Sequence, residues 1–201
     1  MPSSRYLARD VVRLVKDQLE KTDRDPLKVL ELGPGTGIFT ERIMPHLKEG
    51  DRFDVVELNA YFHKVLKRRF HSNGVFRLHH KDFLAFESEY KYDFIISSLP
   101  YEGIPSQVTR LMWEHKLYLS KSGTQIIYYK YVNFNKFRSR FEKKVFRNYC
   151  QDQKFVFLNM PPARLITLQI DDPQKCMNTF RKDVPVTVAN GNNGNAGLFK
   201  D

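Results

Sequence analysis

The fold is decided by the stretch Lys28-Val-Leu-Glu-Leu-Gly-Pro-Gly-Thr-Gly-Ile-Phe-Thr-Glu41. A short apolar run at 29–32 leads into three alternate glycines, and apolar residues at helical spacing follow them. This order predicts a strand, a sharp turn and the beginning of a helix. Backbone N–H groups and the positive end of a helix dipole meet at such a junction. We therefore predict the nucleotide-binding turn of a doubly wound α/β domain.

Apolar patterns along the rest of the chain alternate between strands and helices. Strands are predicted at 29–32, 53–58, 75–78, 92–97, 123–129, 155–158 and 165–170, and helices at 3–21, 61–70, 106–119 and 133–147, besides the helix after the glycine turn. This alternation predicts a parallel sheet with helices on both faces. The expected fold is a Rossmann-like doubly wound α/β sheet of about seven strands, mostly parallel and closed by an antiparallel pair at its edge.

Composition bounds the organisation of the chain and its class. The 201 residues predict an amphipathic N-terminal helix in 1–22, one domain in 23–183 and a flexible Asn/Gly-rich tail in 184–201. The roughly 30 residues after the last strand look disordered as a whole. Two cysteines make no disulfide framework, and no apolar run is long enough to span a membrane. Since the N-terminus also lacks an apolar signal core, we expect a cytoplasmic protein.

The net charge of +10 suits a polyanionic partner, either nucleic acid or an anionic membrane surface, although simple solubility explains it equally well. Two basic amphipathic helices, predicted at 3–21 and 133–147, carry much of this charge. Each could pack its apolar face in the core, or present it to a lipid interface. The second helix has interleaved phenylalanines that would also suit base stacking. The sequence indicates no metal site and leaves the oligomeric state open.

Polar residues follow the predicted strands where ligands bind in open α/β sheets, at the carboxyl ends. Glu57 ends the second strand, 20 residues after Gly37, and could accept hydrogen bonds from both hydroxyls of a ribose. Asp82 follows the third strand and could accept one from an adenine amino group. After the fourth strand, Pro100 stiffens a loop and Tyr101 offers an aromatic face.

Four motifs taken together resemble the class I S-adenosylmethionine-dependent methyltransferases. They are Val29-Leu-Glu-Leu-Gly-Pro-Gly-Thr-Gly37, Val55-Val-Glu-Leu58, Lys81-Asp-Phe83 and Ser98-Leu-Pro-Tyr101. The resemblance implies S-adenosylmethionine as cofactor. It implies that the methionine part is held by Glu31, Gly33, Gly35 and Gly37, the ribose by Glu57 and the adenine by Asp82. Ser98, Leu99, Pro100 and Tyr101 would then lie beside the transferring methyl group and the substrate amine, with Ser98 contacting both cofactor and substrate.

Two subfamilies share these motifs. The loop at 98–101 is similar to the Asn-Leu-Pro-Tyr loop of the ribosomal RNA adenine dimethyltransferases, but Ser98 replaces the asparagine. We also expect the chain to lack the basic helical C-terminal domain of that family, because the residues after the last strand look disordered. The bacterial phospholipid N-methyltransferases share Leu32-Gly-Pro-Gly-Thr-Gly-Ile-Phe-Thr40, a Ser-x-Leu-Pro loop followed by Pro105, and Asn159-Met-Pro-Pro-Ala-Arg164.

The second resemblance predicts an enzyme that methylates the amine of a phosphatidylethanolamine-type phospholipid, at the inner face of a membrane. An RNA adenine N6-methyltransferase is the enzyme alternative. An inactive cofactor-binding interaction module is the non-enzyme alternative, because Ser98 departs from the asparagine pattern. A substrate ammonium must lose a proton before it can attack, and Glu102 is the candidate proton acceptor. His79 and His80 are left out of the catalytic set.

Overall fold

The computed structural model describes residues 5–101, 104–131, 140–159 and 161–181, without the side chains of 140–142, 144 and 179–181. Within these residues the chain forms one seven-stranded sheet in the order β3-β2-β1-β4-β5-β7-β6. The strands are β1 (Lys28–Leu32), β2 (Arg52–Glu57), β3 (Phe76–His80), β4 (Tyr92–Ser97), β5 (Ser120–Tyr131), β6 (Cys150–Val156) and β7 (Ala163–Ile170). β1 to β5 are parallel, and β7 runs antiparallel to both β5 and β6. The predicted fold class is confirmed.

Six α-helices flank the sheet in the described part of the chain. They are α1 (Arg5–Leu19), α2 (Ile38–Ile43), α3 (Ala60–Arg69), α4 (Ser106–Leu119), α5 (Arg140–Tyr149) and α6 (Pro173–Arg181). Short 3-10 turns follow α2, at Met44–His46, and β3, at Phe83–Ala85. No helix among these residues is long and apolar enough to cross a bilayer. The first half of the helix predicted at 133–147, and the tail at 184–201, lie outside the described residues.

Two core layers hold the helices against opposite faces of the sheet. Alternate residues of β5 separate them, since Tyr128 belongs to the layer with α4, α5 and α6, whereas Ile127 belongs to the layer with α1 and α2. This packing buries the apolar side of α1, where Leu7, Val15 and Leu19 are fully buried. The apolar face of α1 is therefore a core face, and only its charged side remains at the surface.

The carboxy-terminal part departs from the sequence predictions at two places. The sequence predicts a strand at 155–158, but β6 begins at Cys150 and ends at Val156. Residues 151–154 of this edge strand are polar and exposed, so they carry no apolar alternation. The sequence also predicts disorder throughout the last residues, yet α6 forms. Asp172 accepts a hydrogen bond from the Lys175 N–H at its amino end, and Cys176 is fully buried in the core.

Candidate active site at the carboxyl edge of the sheet

The four predicted motifs meet at one edge of the sheet. β1, β2, β3 and β4 are adjacent and parallel, so their carboxyl ends lie side by side. The register pairs Glu57 with His80, and Leu32 with both Val56 and Ser97. The glycine turn, the residues after β2, Asp82 and the loop at 98–101 therefore lie next to one another along one edge of the sheet.

The three glycines of the turn, at positions 33, 35 and 37, are needed for different structural reasons. All three have positive φ, and an added Cβ shows what each one faces. At Gly37 that Cβ would lie 2.6 Å from Leu66 Cδ2 and 3.0 Å from Phe70 Cε2, so this glycine allows α3 to pack on the turn. At Gly33 it would lie 3.0 Å from Leu99 Cδ2. At Gly35 no heavy atom lies within 4 Å, so this backbone faces open space that a ligand can enter.

Glu31 is a fully buried acid one residue before the end of β1. Thr40, on α2, donates its hydroxyl to Glu31 Oε2 at 2.6 Å. The other oxygen, Oε1, has no hydrogen-bond partner among the described residues. Burial raises the pKa of this carboxyl to about 8, with a further increase from the Glu57 charge, and the Thr40 hydrogen bond opposes the increase. A buried oxygen that accepts nothing is costly, and a cationic donor would satisfy it.

Glu57 joins the end of β2 to the glycine turn. Its Oε2 accepts a hydrogen bond from the Gly35 N–H at 3.0 Å, and its Oε1 accepts one from the Asn59 N–H at 2.8 Å. The side chain is nearly buried. Each carboxylate oxygen can accept two hydrogen bonds, so both retain capacity for the hydroxyls of a ribose.

Asp82 and the two histidines lie at the β3 end of the edge. Asp82 is exposed, and its Oδ1 accepts a hydrogen bond from the Leu84 N–H at 2.9 Å, which caps the 3-10 turn. His79 Nε2 lies 2.6 Å from Asp54 Oδ1, and His80 Nε2 lies 3.1 Å from the Leu58 carbonyl oxygen. Both histidines thus connect strands and loops. In the described part of the chain, no group of three or more His, Cys, Asp or Glu side chains could hold a metal ion.

The loop at 98–101 continues directly from β4. The Ser98 N–H donates to the Leu32 carbonyl at 2.9 Å, so the first loop residue is fixed beside the glycine turn. Ser98 and Leu99 are half-buried and Pro100 is exposed. Glu102, the candidate proton acceptor, lies outside the described residues.

Tyr101 does not present its ring at the surface. The sequence predicts a wall of the substrate pocket, but the side chain is 8% exposed and stacks on Trp113 with ring centroids 6.0 Å apart. Its hydroxyl lies 2.7 Å from Ser97 Oγ and also accepts a hydrogen bond from Lys116 Nζ. Tyr101 therefore supports the loop from beneath, because α4 supplies partners that the local sequence cannot show.

Lys116 is a buried partner of the loop at 98–101 that sequence reasoning missed. It is fully buried in α4, and its ammonium lies 4.1 Å from the Trp113 ring centroid and 4.5 Å from that of Tyr101. One sequence signal was available: this lysine falls on the apolar side of α4, among Met112, Trp113 and Leu117. A long cation in such a position needs a buried partner.

Comparison with known proteins identifies the family of this chain. The family model described as "Ribosomal RNA adenine dimethylase" matches residues 9–125, more than half of the chain. The chain belongs to this family. It is a class I S-adenosylmethionine-dependent methyltransferase, and S-adenosylmethionine is its cofactor.

Curated relatives of the methyltransferase fall into two groups. A ribosomal RNA small subunit methyltransferase A of Synechococcus sp. (strain JA-3-3Ab) is 34% identical over 84 residues, which cover 42% of this chain and only 29% of the relative. An ornithine lipid N-methyltransferase of Singulisphaera acidiphila is 30% identical over 173 residues, which cover 81% of this chain and 82% of the relative. The alignment with the RNA enzyme thus spans less than a third of that protein's length.

Solved structures share the fold of the methyltransferase at low identity. The N-methyltransferase NodS of Bradyrhizobium japonicum WM9 superimposes with a TM-score of 0.61 at 13% identity, over 83% of this chain and 98% of that one. The magnesium protoporphyrin IX methyltransferase ChlM of Synechocystis PCC 6803, with bound SAM, also gives 0.61 at 13% identity, over 81% and 77%. These similarities concern the fold alone.

Proposed function

We propose that this enzyme transfers a methyl group from S-adenosylmethionine to the primary amine of a membrane lipid, of the phosphatidylethanolamine or ornithine-lipid type. The observation that carries the proposal is the extent of the two alignments. Similarity to the RNA enzyme covers 42% of this chain, and the RNA-family model ends at residue 125. Similarity to the ornithine lipid enzyme covers 81% of the chain, so it must extend beyond residue 125. The acceptor is selected by this later part in a fold whose glycine turn holds the cofactor.

The carboxyl edge fits the cofactor through three features. The space in front of Gly35 admits a ligand against the backbone, and Glu31 Oε1 is a buried acceptor that the cofactor's ammonium would satisfy. Glu57 retains acceptor capacity for the ribose hydroxyls, and Asp82 lies next along the edge for the adenine. When bound, S-adenosylmethionine supplies an electrophilic methyl group.

The chain's own contribution is to align the acceptor amine and to exclude water. The Ser98 hydroxyl and the backbone carbonyls of its loop would accept hydrogen bonds from the amine and so orient its lone pair. The loop is prepared for this by the Ser98 N–H bond to Leu32 and by Tyr101 beneath it. A neutral amine is required, so the reaction should accelerate as pH rises toward the pKa of the bound ammonium.

An RNA adenine N6-methyltransferase remains the second candidate, because the matching family model carries that description. A single assay separates the candidates. The purified protein is incubated with methyl-labelled S-adenosylmethionine and a total cell extract, which is then split into lipid, RNA and protein fractions. We expect label in the lipid fraction, on phosphatidylethanolamine or an ornithine lipid. Label in RNA alone would replace the lipid proposal, and cofactor binding without transfer to any fraction would indicate an inactive interaction module.

Glu57→Ala tests the site assignment in the same assay. We expect it to abolish both transfer and cofactor binding by calorimetry. Glu87→Ala serves as the matched control and should behave like the wild type, because Glu87 is exposed and is not assigned to the cofactor or the acceptor. Unchanged cofactor affinity in Glu57→Ala would contradict the assignment of the ribose site.

A further inference from the structure

We infer that the turn joining β6 to β7 (residues 157–162, with 160 outside the described residues) inserts Phe157 and Leu158 into the interface of an anionic membrane. It thereby docks the carboxyl edge of the sheet on the bilayer. The inference rests on the lipid substrate proposed above. It concerns a surface that neither the glycine turn, the loop at 98–101 nor the two basic helices include.

The position of this turn follows from the sheet register. β5 is parallel to β4, so its last residue, Tyr131, lies at the same edge as the glycine turn. Tyr131 pairs with Ala163, and Ala163 pairs with Val156. Both ends of the β6–β7 turn are therefore at the carboxyl edge, in the row of loops that carries the candidate active site.

The turn presents its apolar side chains to solvent on an ordered base. Phe157 is 77% exposed and Leu158 is 68% exposed. The base is fixed by Asn159, which is buried, donates its side-chain N–H to the Pro161 carbonyl at 2.6 Å and bonds to Val156 through its backbone. Burying these two apolar side chains in lipid would release the water that they now order.

A cation accompanies the exposed rings. Phe155 stacks on Phe157 with ring centroids 5.9 Å apart, and the Arg164 guanidinium lies 4.6 Å from the Phe155 centroid. Lys130 pairs directly with Arg164 across β5 and β7, so both long basic side chains leave the same face of the sheet near this edge. Aromatic and aliphatic groups beside Lys and Arg are typical of surfaces that meet lipid headgroups and acyl chains together.

The rest of the carboxyl edge also exposes large hydrophobic side chains. Among the described residues, eight large hydrophobic side chains are exposed, and six of them lie at this edge. Besides Phe155, Phe157 and Leu158, they are Leu58 after β2, Tyr61 at the start of α3 and Leu84 after β3. Leucines add nothing to base stacking but bury well in hydrocarbon, which favours lipid over RNA as the partner. Two exposed acids at this edge have basic neighbours, since Asp82 directly follows Lys81 in the chain and Glu41 pairs with Arg69.

The test compares vesicle binding by the full chain and two variants. Vesicles contain phosphatidylethanolamine and phosphatidylglycerol, and binding is measured by co-sedimentation. The double variant Phe157→Ser/Leu158→Ser should bind about tenfold or more weakly than the wild type, and methyl transfer to lipid in vesicles should fall in parallel. Transfer to a short-chain amine lipid dispersed as monomers should be unchanged, as should the melting temperature and cofactor affinity. Leu111→Ser, an exposed leucine on α4, is the matched control and should retain vesicle binding.

Vesicle binding that is unchanged in the double variant overturns the inference. So does a loss of RNA binding with vesicle binding intact, which would assign the turn to nucleic acid. A wild-type protein that binds vesicles through this turn but methylates no lipid supports the surface and removes the proposed substrate. The two proposals therefore fail separately.

Discussion

Replacing Glu31 with glutamine should change stability and cofactor binding in opposite directions. Glutamine keeps the volume of the side chain and can still bond to the Thr40 hydroxyl, which now donates to Glu31 Oε2 at 2.6 Å. It removes the ionisable group. In the wild type, burial raises the pKa of this carboxyl from 4.5 to about 8, so the folded protein without cofactor holds a proton that the unfolded chain loses at lower pH.

The direction and the size of the stability change follow from the linkage between proton binding and folding. A raised carboxyl pKa contributes stability that is present below the unfolded value and is lost as pH rises through the folded value. The difference between 4.5 and about 8 corresponds to a loss of about 5 kcal/mol by pH 9, of which about 3 kcal/mol is lost by pH 7. Glutamine has no such loss. The variant should therefore be more stable than the wild type by about 3 kcal/mol at pH 7, and equally stable near pH 4.

Cofactor binding should show the reverse. An ionised Glu31 would offer a charged acceptor to the cofactor's ammonium, and hydrogen bonds to charged groups contribute about 1.5–3 kcal/mol. We expect Glu31→Gln to bind S-adenosylmethionine about 10- to 100-fold more weakly at pH 8. Wild-type affinity should rise between pH 6 and 8. Urea unfolding at pH 5, 7 and 8.5 and calorimetric titration measure both effects, with Glu87→Gln as the exposed control. A stability difference that does not vary with pH, or wild-type affinity in the variant, would contradict this role of Glu31.

Alanine substitutions at two glycines distinguish a glycine needed for packing from one that leaves space for the cofactor. Gly37→Ala should cost about 2–3 kcal/mol, because strain at positive φ adds to the 2.6 Å approach to Leu66, whereas Gly35→Ala, in open space, should cost about 1–2 kcal/mol and mainly weaken cofactor binding. The opposite order in urea unfolding would contradict these roles. Lys116→Ala should cost about 2–5 kcal/mol, because it empties a buried volume and removes the donor to the Tyr101 hydroxyl. Lys116→Met, which fills that volume, should cost less; an equal cost would show that packing is not the cause.

Sequence reasoning succeeds where the signal is local. Glycines between an apolar run and a helical pattern, with acids such as Glu57 at strand ends, specify a turn and an edge, and parallel strands then bring these residues together. It fails where partners are distant in the chain. The burial of Tyr101 depends on Lys116, 15 positions later, and α6 is stabilised by Cys176 entering a core that the strands build. The loop at 98–101 by itself gives no sign of the Tyr101 contact, because Lys116 lies on another element.

The burial of α1 has a consequence for how a lipid would reach the site. Its apolar face is occupied by the core, so Leu7 and Val15 cannot also enter a bilayer unless the helix leaves the sheet. The carboxyl edge needs no such rearrangement, because Phe157 and Leu158 are already exposed there. An enzyme docked through that edge would hold Ser98 and the glycine turn toward the headgroups. The lipid amine would then need to move only within the interface, and its acyl chains would remain in hydrocarbon.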